Sequence, residues 1–323
     1  MPTQLKTVFL YSGQGSHYYQ MGRELFEQRG AFFRHAVELD GLMHEYLGMS
    51  IVEILYDTQR RISDVFDQTI LTHPAIFLIE CALSRALQEE GVEPDYLLTS
   101  SMGAFAALTV AGSLTLEQAV QAVITQAILL DNLCVAGDML ALPGTEPQRA
   151  HTLAGDINCE LAAINQWSPC VLAMGRVQRE AVETALRRQG VVFQRLAVSR
   201  AFHSRWIEAA EAPFLAFLGS VGMVRPRLPL VCCAEGKILH ALTDTWLWDV
   251  IRQPIRLDDT VRTLCRDARW RLIDVGPSGT LATSLKYGLP HLGDDPQIQR
   301  VLSPFGGAVS RYHQLVSMPS SAH

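Results

Sequence analysis

Along this chain, short apolar runs alternate with longer segments in which apolar residues return every three or four positions. The first pattern reads as buried strand and the second as helix packed by one face. Val8–Tyr11 is such a strand, followed by helical periodicity over Met21–Glu27 and Phe32–Tyr46. Pro74–Glu89 carries Ala75, Leu78, Ile79, Ala82, Leu83 and Leu87 at helical spacing. Tyr96–Leu98 is the next strand and Leu116–Leu133 the next helix, started by Thr115 as its N-cap. This alternation predicts a doubly wound, mostly parallel sheet of the α/β class.

The rhythm changes in the middle of the chain. Met139–Leu142, Leu161–Asn165, Cys170–Met174 and Val191–Gln194 read as short strands, with helices over Pro147–Ala154 and Val177–Gln189. That order is the split, ferredoxin-like pattern. Residues 136–198 are therefore expected to form a small domain inserted into a large one made of 1–135 and 199–303. The large domain resumes with a helix near Ile207–Leu218, a strand at Leu230–Ala234, a helix at Leu257–Arg266 and a strand at Leu272–Val275. Residues 304–323 are polar and Ser-rich and read as a C-terminal tail with a loose end.

Composition narrows the function classes. Of 323 residues, 48% are hydrophobic and 19% charged, enough apolar material for a sizeable core. A net charge of −6 gives no reason to expect nucleic acid or an anionic membrane as partner. An acidic partner would need a local basic patch, for which Arg187, Arg188, Arg195, Arg200 and Arg205 are candidates. Seven cysteines without metal-type spacing argue against a disulfide framework, and adjacent Cys232 and Cys233 read as strand packing. The N-terminus lacks an apolar signal core, and no run approaches the roughly 18 apolar residues of a membrane span, so a cytoplasmic protein is expected.

Candidate chemistry lies at three strand ends. Leu97-Leu98-Thr99-Ser100-Ser101-Met102-Gly103 has the outline of a nucleophile elbow, where a strand turns into a helix and holds a serine out at the tip, as in α/β-hydrolase cores. Val8–Tyr11 runs into Ser12-Gly13-Gln14-Gly15-Ser16-His17, a loop of small residues whose amides can approach a ligand. Leu196–Ser199 leads into Arg200-Ala201-Phe202-His203-Ser204. Nucleophile, amide loop and histidine are the parts of serine acyl transfer.

With these motifs the chain resembles the malonyl-CoA:acyl carrier protein transacylases and the acyltransferase domains of polyketide synthases. The resemblance runs from about Val8 to about Leu302. It also rests on Thr72-His73-Pro74-Ala75, Ala163-Ile164-Asn165 and Val275-Gly276-Pro277-Ser278-Gly279. It implies Ser101 as nucleophile and His203 as base, with a main-chain carbonyl around Val250 orienting the imidazole in place of an acid. It implies the N–H groups of Gln14 and Met102 as oxyanion donors, and Asn165 as a contact for the acyl or pantetheine group. His73 stands where relatives usually carry Gln, and is expected to line the cleft. The chain itself would need no cofactor or metal, since the substrate brings phosphopantetheine from acyl carrier protein or CoA. Acyl carrier protein and polyketide synthase modules are the implied partners of a monomer.

The departures shape the expected specificity. Relatives usually carry Gly-His-Ser-x-Gly-Glu where this chain has Thr99-Ser100-Ser101-Met102-Gly103-Ala104. Malonyl-using relatives place an arginine where Gln126 falls, to grip the malonyl carboxylate with its planar fork. A neutral amide would leave that carboxylate unpaired, at a cost of several kcal/mol. Arg200 could supply a cation from another direction. Ala201-Phe202 resembles the unbranched-acyl pattern, in which Phe leaves no room for an α-methyl. The expected activity is hydrolysis of small uncharged acyl groups such as acetyl from carrier-protein thioesters through an acyl-Ser101 ester. The alternatives are a transferase that loads carrier proteins from acyl- or malonyl-CoA and a catalytically impaired adaptor.

Overall fold

The structure, a computed structural model, describes residues 5–265, 269–288 and 297–317. The chain opens with β1 (Leu5–Tyr11), α1 (Arg23–Glu27), α2 (Ala31–Leu47), α3 (Ile51–Leu55), α4 (Thr69–Glu89), β2 (Tyr96–Thr99), α5 (Gly103–Val110) and α6 (Leu116–Leu133). A middle section follows: β3 (Gly137–Leu142), α7 (Pro147–Asp156), β4 (Glu160–Ala163), β5 (Cys170–Gly175), α8 (Arg179–Arg188) and β6 (Gln194–Arg195). The remainder is α9 (Glu211–Val221), β7 (Leu230–Cys232), β8 (Lys237–Leu239), α10 (Trp246–Arg252), α11 (Leu257–Leu264), β9 (Arg269–Asp274), α12 (Thr280–Gly288), β10 (Gln297–Arg300) and α13 (Ala308–Ser317).

The larger sheet runs β10-β9-β1-β2-β7-β8 and is parallel except for the β7–β8 hairpin. β1 is apolar along most of its length because both faces of the sheet are covered. Phe9 and Tyr11 join a core with residues of α2, α4, α5 and α6, whereas Val8 and Leu10 join one with residues of α11 and α12. α4 has the length and hydropathy of a membrane span, but 83% of its most apolar window is buried in the protein. A helix enclosed on all sides has no polar face to show, which accounts for its composition. α6 starts as its sequence indicates: Gln118 N donates to Thr115 Oγ1 and Thr115 N to Gln118 Oε1, a complete capping box.

The smaller sheet is antiparallel, in the order β4-β5-β3-β6, and Leu140, Leu142, Leu172 and Met174 form its core with Leu153 and Leu186 from α7 and α8. Its fourth strand is shorter and later than the apolar run suggests, pairing only at Gln194 and Arg195, because Val191 turns into the core while Val192 is exposed. The two sheets meet at the segment after α10. Ile255 N donates to Ala162 O and Ile164 N to Ile255 O, while Arg256 N donates to Cys233 O beyond β7.

Residues 304–317 differ from the expected tail. α13 buries Ala308, Tyr312 and Leu315, and the Tyr312 hydroxyl donates to Ala86 O at the end of α4. Its few apolar positions fall on one side of a helix, which a reading of overall polarity misses. The end of the expected tail, 318–323, lies outside the described residues.

Candidate active site

Ser101 sits where β2 breaks sharply into α5. Its φ is +55°, in the left-handed region that a residue with a side chain visits at some cost in strain. This turn holds the hydroxyl clear of the strand. Gly103, two residues on, faces the end of β1: a Cβ there would lie 2.6 Å from Tyr11 O and from Ser12 O. Only glycine permits that approach. Thr99, in the motif's first glycine position, is fully buried at the strand end, so this elbow forms without the missing glycine.

His203 comes to Ser101 from the segment after β6. Its Nε2 is 2.8 Å from Ser101 Oγ, and its Nδ1 is 2.7 Å from Gln253 O. The Gln253 carbonyl can only accept, so the second contact fixes Nδ1 as the protonated nitrogen and leaves Nε2 free to accept from the serine. The orienting carbonyl therefore belongs to Gln253, not Val250. Val250 lies within α10, whereas Gln253 follows the helix in an extended conformation, where a carbonyl can turn outward. The backbone of His203 is also held, by donation to Ile251 O, at φ +60°. Burial lowers the imidazole pKa from 6.5 to about 4, against the opposing effect of the Gln253 bond and with help from nearby Arg252. The ring is thus neutral and able to accept a proton at physiological pH.

The glycine loop lies against the elbow. A Cβ on Gly13 would be 2.7 Å from Ser101 Cβ and 3.1 Å from its Oγ. Ser16 Oγ donates to Gly13 O, Gln14 Nε2 donates to Thr72 Oγ1, and His17 bonds Phe66 O through Nε2. Among the described residues, the backbone N–H groups of Gln14 and Met102 donate to no protein group. Gln14 lines the cavity from the glycine loop, and Met102 follows Ser101 at the start of α5.

A cavity of about 190 Å³ opens on Ser101 and His203. The glycine loop and Ser100 form one side, Met139, Ala162, Ala163 and Val171 of the smaller sheet another, and Phe202, Ile255 and Leu281 close it. Phe202 lines it as expected. The other anticipated substrate contacts do not. Asn165 accepts from Leu257 N through Oδ1 and donates to Pro169 O, pinning the β4–β5 loop to α11. Arg200 donates to Leu130 O, Asp131 O and Ser199 O and pairs with Asp131, so its fork covers the C-terminal carbonyls of α6. Gln126 and His73 are buried outside the lining, with no hydrogen-bond partner for either side chain among the described residues. His73 packs against Phe202, 5.5 Å between ring centroids. Sequence reasoning missed Gln253 and the apolar lining from the smaller sheet. A carbonyl role leaves no trace in residue type, and small apolar strand residues look the same in a core as in a cleft.

Arg200→Ala should cost about 1–2 kcal/mol of stability through the lost carbonyl bonds, seen as a lower Tm, and leave the preference between acetyl and malonyl thioesters unchanged. Loss of a malonyl preference in this variant would return Arg200 to the substrate.

The chemistry open to this arrangement is the making and breaking of an ester at Ser101, with proton transfer by His203 and charge relief by backbone amides. Residues 8–301 match the acyl transferase domain family, and the chain belongs to it, as an acyltransferase-family enzyme. It is 37% identical over 301 residues to the polyketide biosynthesis acyltransferase homolog PksD of Bacillus subtilis, covering 92% of each chain. It is 36% identical over 299 residues to the homolog BaeD of Bacillus velezensis, again covering 92% of each. Among solved structures, the acyltransferase domain from the second module of the salinomycin polyketide synthase superposes with a TM-score of 0.83 at 26% identity, over 98% of this chain and 72% of that one.

Proposed function

We propose that this protein acts in polyketide biosynthesis, removing small uncharged acyl groups such as acetyl from acyl carrier protein thioesters by hydrolysis. The observation that carries the specificity is the cavity lining at Ser101, which among the described residues contains no Lys or Arg. A malonyl carboxylate placed there would lose water without gaining a cation, at a cost of several kcal/mol. Arg200, the remaining candidate, is spent on α6.

In the proposed cycle, Ser101 Oγ attacks the thioester carbonyl carbon while His203 Nε2 takes its proton. The N–H groups of Gln14 and Met102 receive the oxyanion. The C–S bond then breaks, and the pantetheine sulfur leaves with the proton from His203. Water attacks the acyl-Ser101 ester as Nε2 removes its proton, and collapse returns that proton to Oγ and releases the free acid. The small side chain of Ser100, a residue lining the cavity beside Ser101 where the family resemblance implies a histidine, supports water as acceptor by leaving it space. The enzyme would need no metal or cofactor of its own. A transferase is the second reading, favoured by the acyltransferase names of the two Bacillus relatives.

The same reading takes residues 136–198 as a ferredoxin-like small domain inserted in a hydrolase-like large one, with the acyl site in the cleft between them. It places a monomer in the cytoplasm beside synthase modules, with exposed arginines such as Arg188 meeting the acidic carrier. Acetyl-loaded carrier protein should yield free carrier and acetate, with little acetyl appearing on a second carrier. Transfer in high yield without acetate would leave the transferase. Acetyl thioesters should also turn over at least about 10-fold faster than malonyl ones, the equivalent of about 1.4 kcal/mol at the transition state. A malonyl preference would defeat the uncharged-acyl assignment.

A further inference from the structure

Glu80 is a fully buried carboxyl in the middle of α4, outside the catalytic cycle described above. Its Oε1 accepts from Ser12 N at 2.7 Å and from Ser12 Oγ at 3.0 Å, while Oε2 has no partner among the described residues. Isolated carboxyls are seldom buried for packing, since an aliphatic side chain fills the same space without desolvating a polar group. Ser12 is the first residue after β1 and the root of the glycine loop. Its other side is as tightly held: a Cβ on Gly276 would fall 2.2 Å from Ser12 Oγ and 3.0 Å from Asp274 Oδ1. Asp274 in turn accepts from Gly276 N and Ala282 N, fixing the loop that brings Thr280 and Leu281 to the cavity.

α4 grips the loop at a second point, where Thr72 Oγ1 accepts from Gln14 Nε2. The amide of Gln14 therefore lies between two attachments to one helix, Glu80 through Ser12 and Thr72 through the Gln14 side chain. We propose that Glu80 is a positioning residue, which sets the height of the Gln14 N–H over Ser101 by anchoring Ser12. The inference rests on the serine mechanism proposed above. Burial drives the Glu80 carboxyl toward its neutral form. A carbonyl oxygen at this place thus suffices, and Glu80→Gln should keep the function while Glu80→Leu should not.

A misplaced oxyanion donor weakens binding of the tetrahedral state and spares the ground state. The test compares wild type, Glu80→Gln, Glu80→Leu and Ser12→Ala in three measurements: turnover of acetyl–carrier protein, KM, and inhibition by a small alkylboronic acid that captures Ser101 as a tetrahedral adduct. Glu80→Leu should lose about 30-fold or more in kcat and in boronate affinity, by analogy with loss of an oxyanion donor, with KM little changed. Glu80→Gln should restore both, and Ser12→Ala, which keeps the N–H bond but loses the hydroxyl, should show a smaller parallel loss. If Glu80→Leu does not fold, Ser12→Ala decides: wild-type kcat and boronate affinity would overturn the proposal. So would a Glu80→Gln protein as impaired as Glu80→Leu, or a Glu80→Leu loss carried by KM. Absence of any boronate adduct at Ser101 in the wild type would instead defeat both the serine mechanism and the anchoring role built on it.

Discussion

Ser101→Ala should abolish acyl-enzyme formation, and His203→Ala should slow it by about 10²–10⁴-fold, the usual worth of a positioned general base. Ser100→Ala should be mild by comparison. The contrast comes from geometry: Ser101 Oγ alone meets His203 Nε2 at 2.8 Å, and Ser101 alone takes the left-handed backbone of the elbow. Incubation with an acetyl thioester and mass mapping of the adduct separate the two serines, and an acetyl group found on Ser100 would overturn the assignment. The same reaction followed against pH tests the base. Because burial lowers His203 from 6.5 to about 4, acylation should stay flat from neutral pH downward and fall only as pH drops through about 4. The folding consequence has the matching sign. Between 6.5 and about 4 the unfolded chain binds a proton at this position that the native chain refuses, so native stability is lost as pH falls through that window. An acylation limb near 6.5 would mean that the imidazole is solvated in the working enzyme.

Gly13→Ala should be the most damaging single methyl in the glycine loop. The added carbon would lie 2.7 Å from Ser101 Cβ and 3.1 Å from Oγ, closer than two carbon atoms can pack. Either the loop rises from the elbow and carries the Gln14 amide with it, or Ser101 is pushed off the His203 bond. Both outcomes remove a transition-state contact, so kcat should drop by about 10²-fold or more, the cost of losing one oxyanion donor. Gly15→Ala offers a control of a different kind, since a Cβ there meets no atom within 4 Å and the strain is only that of its φ of +95°. Circular dichroism would verify that each variant is folded. Wild-type turnover in a folded Gly13→Ala protein would show that the loop does not hold its catalytic place through this contact.

Much of this architecture can be read from local pattern, because the period of apolar residues reports which faces are buried. The strands β1, β2 and β9, the long helices α2, α4 and α6, and β3, α7, β4, β5 and α8 of the middle section carry such a period, whereas β6, two exposed residues, does not. α3, α10 and α13 are too short or too polar for it, and α10 matters because Gln253 follows directly from its end. The Ser101–His203 pair was legible because the serine chemistry proposed for it demands particular side chains, although only Ser101 closely follows a strand, β6 ending at Arg195. Gln253 was not, since a carbonyl is offered by every residue and only the path of the chain selects one.

The charged and amide residues show the same division. Arg200 stands three residues before His203 in the chain, yet its guanidinium turns to the carbonyls of α6, which lack helical partners and draw the nearest fork of donors. Asn165 lies two residues beyond the end of β4, but its amide oxygen accepts the first N–H of α11. Glu80 lies inside an apolar helical repeat, where sequence offers no hint of the Ser12 amide 68 positions away. The sequence by itself determined the long elements and their class and singled out Ser101 and His203, because those follow from local burial and from the side chains that serine chemistry requires. Which carbonyl holds the histidine, which cation is spent elsewhere and which walls shape the cavity at Ser101 were decided only by the tertiary structure, since each depends on partners that folding brings from distant parts of the chain.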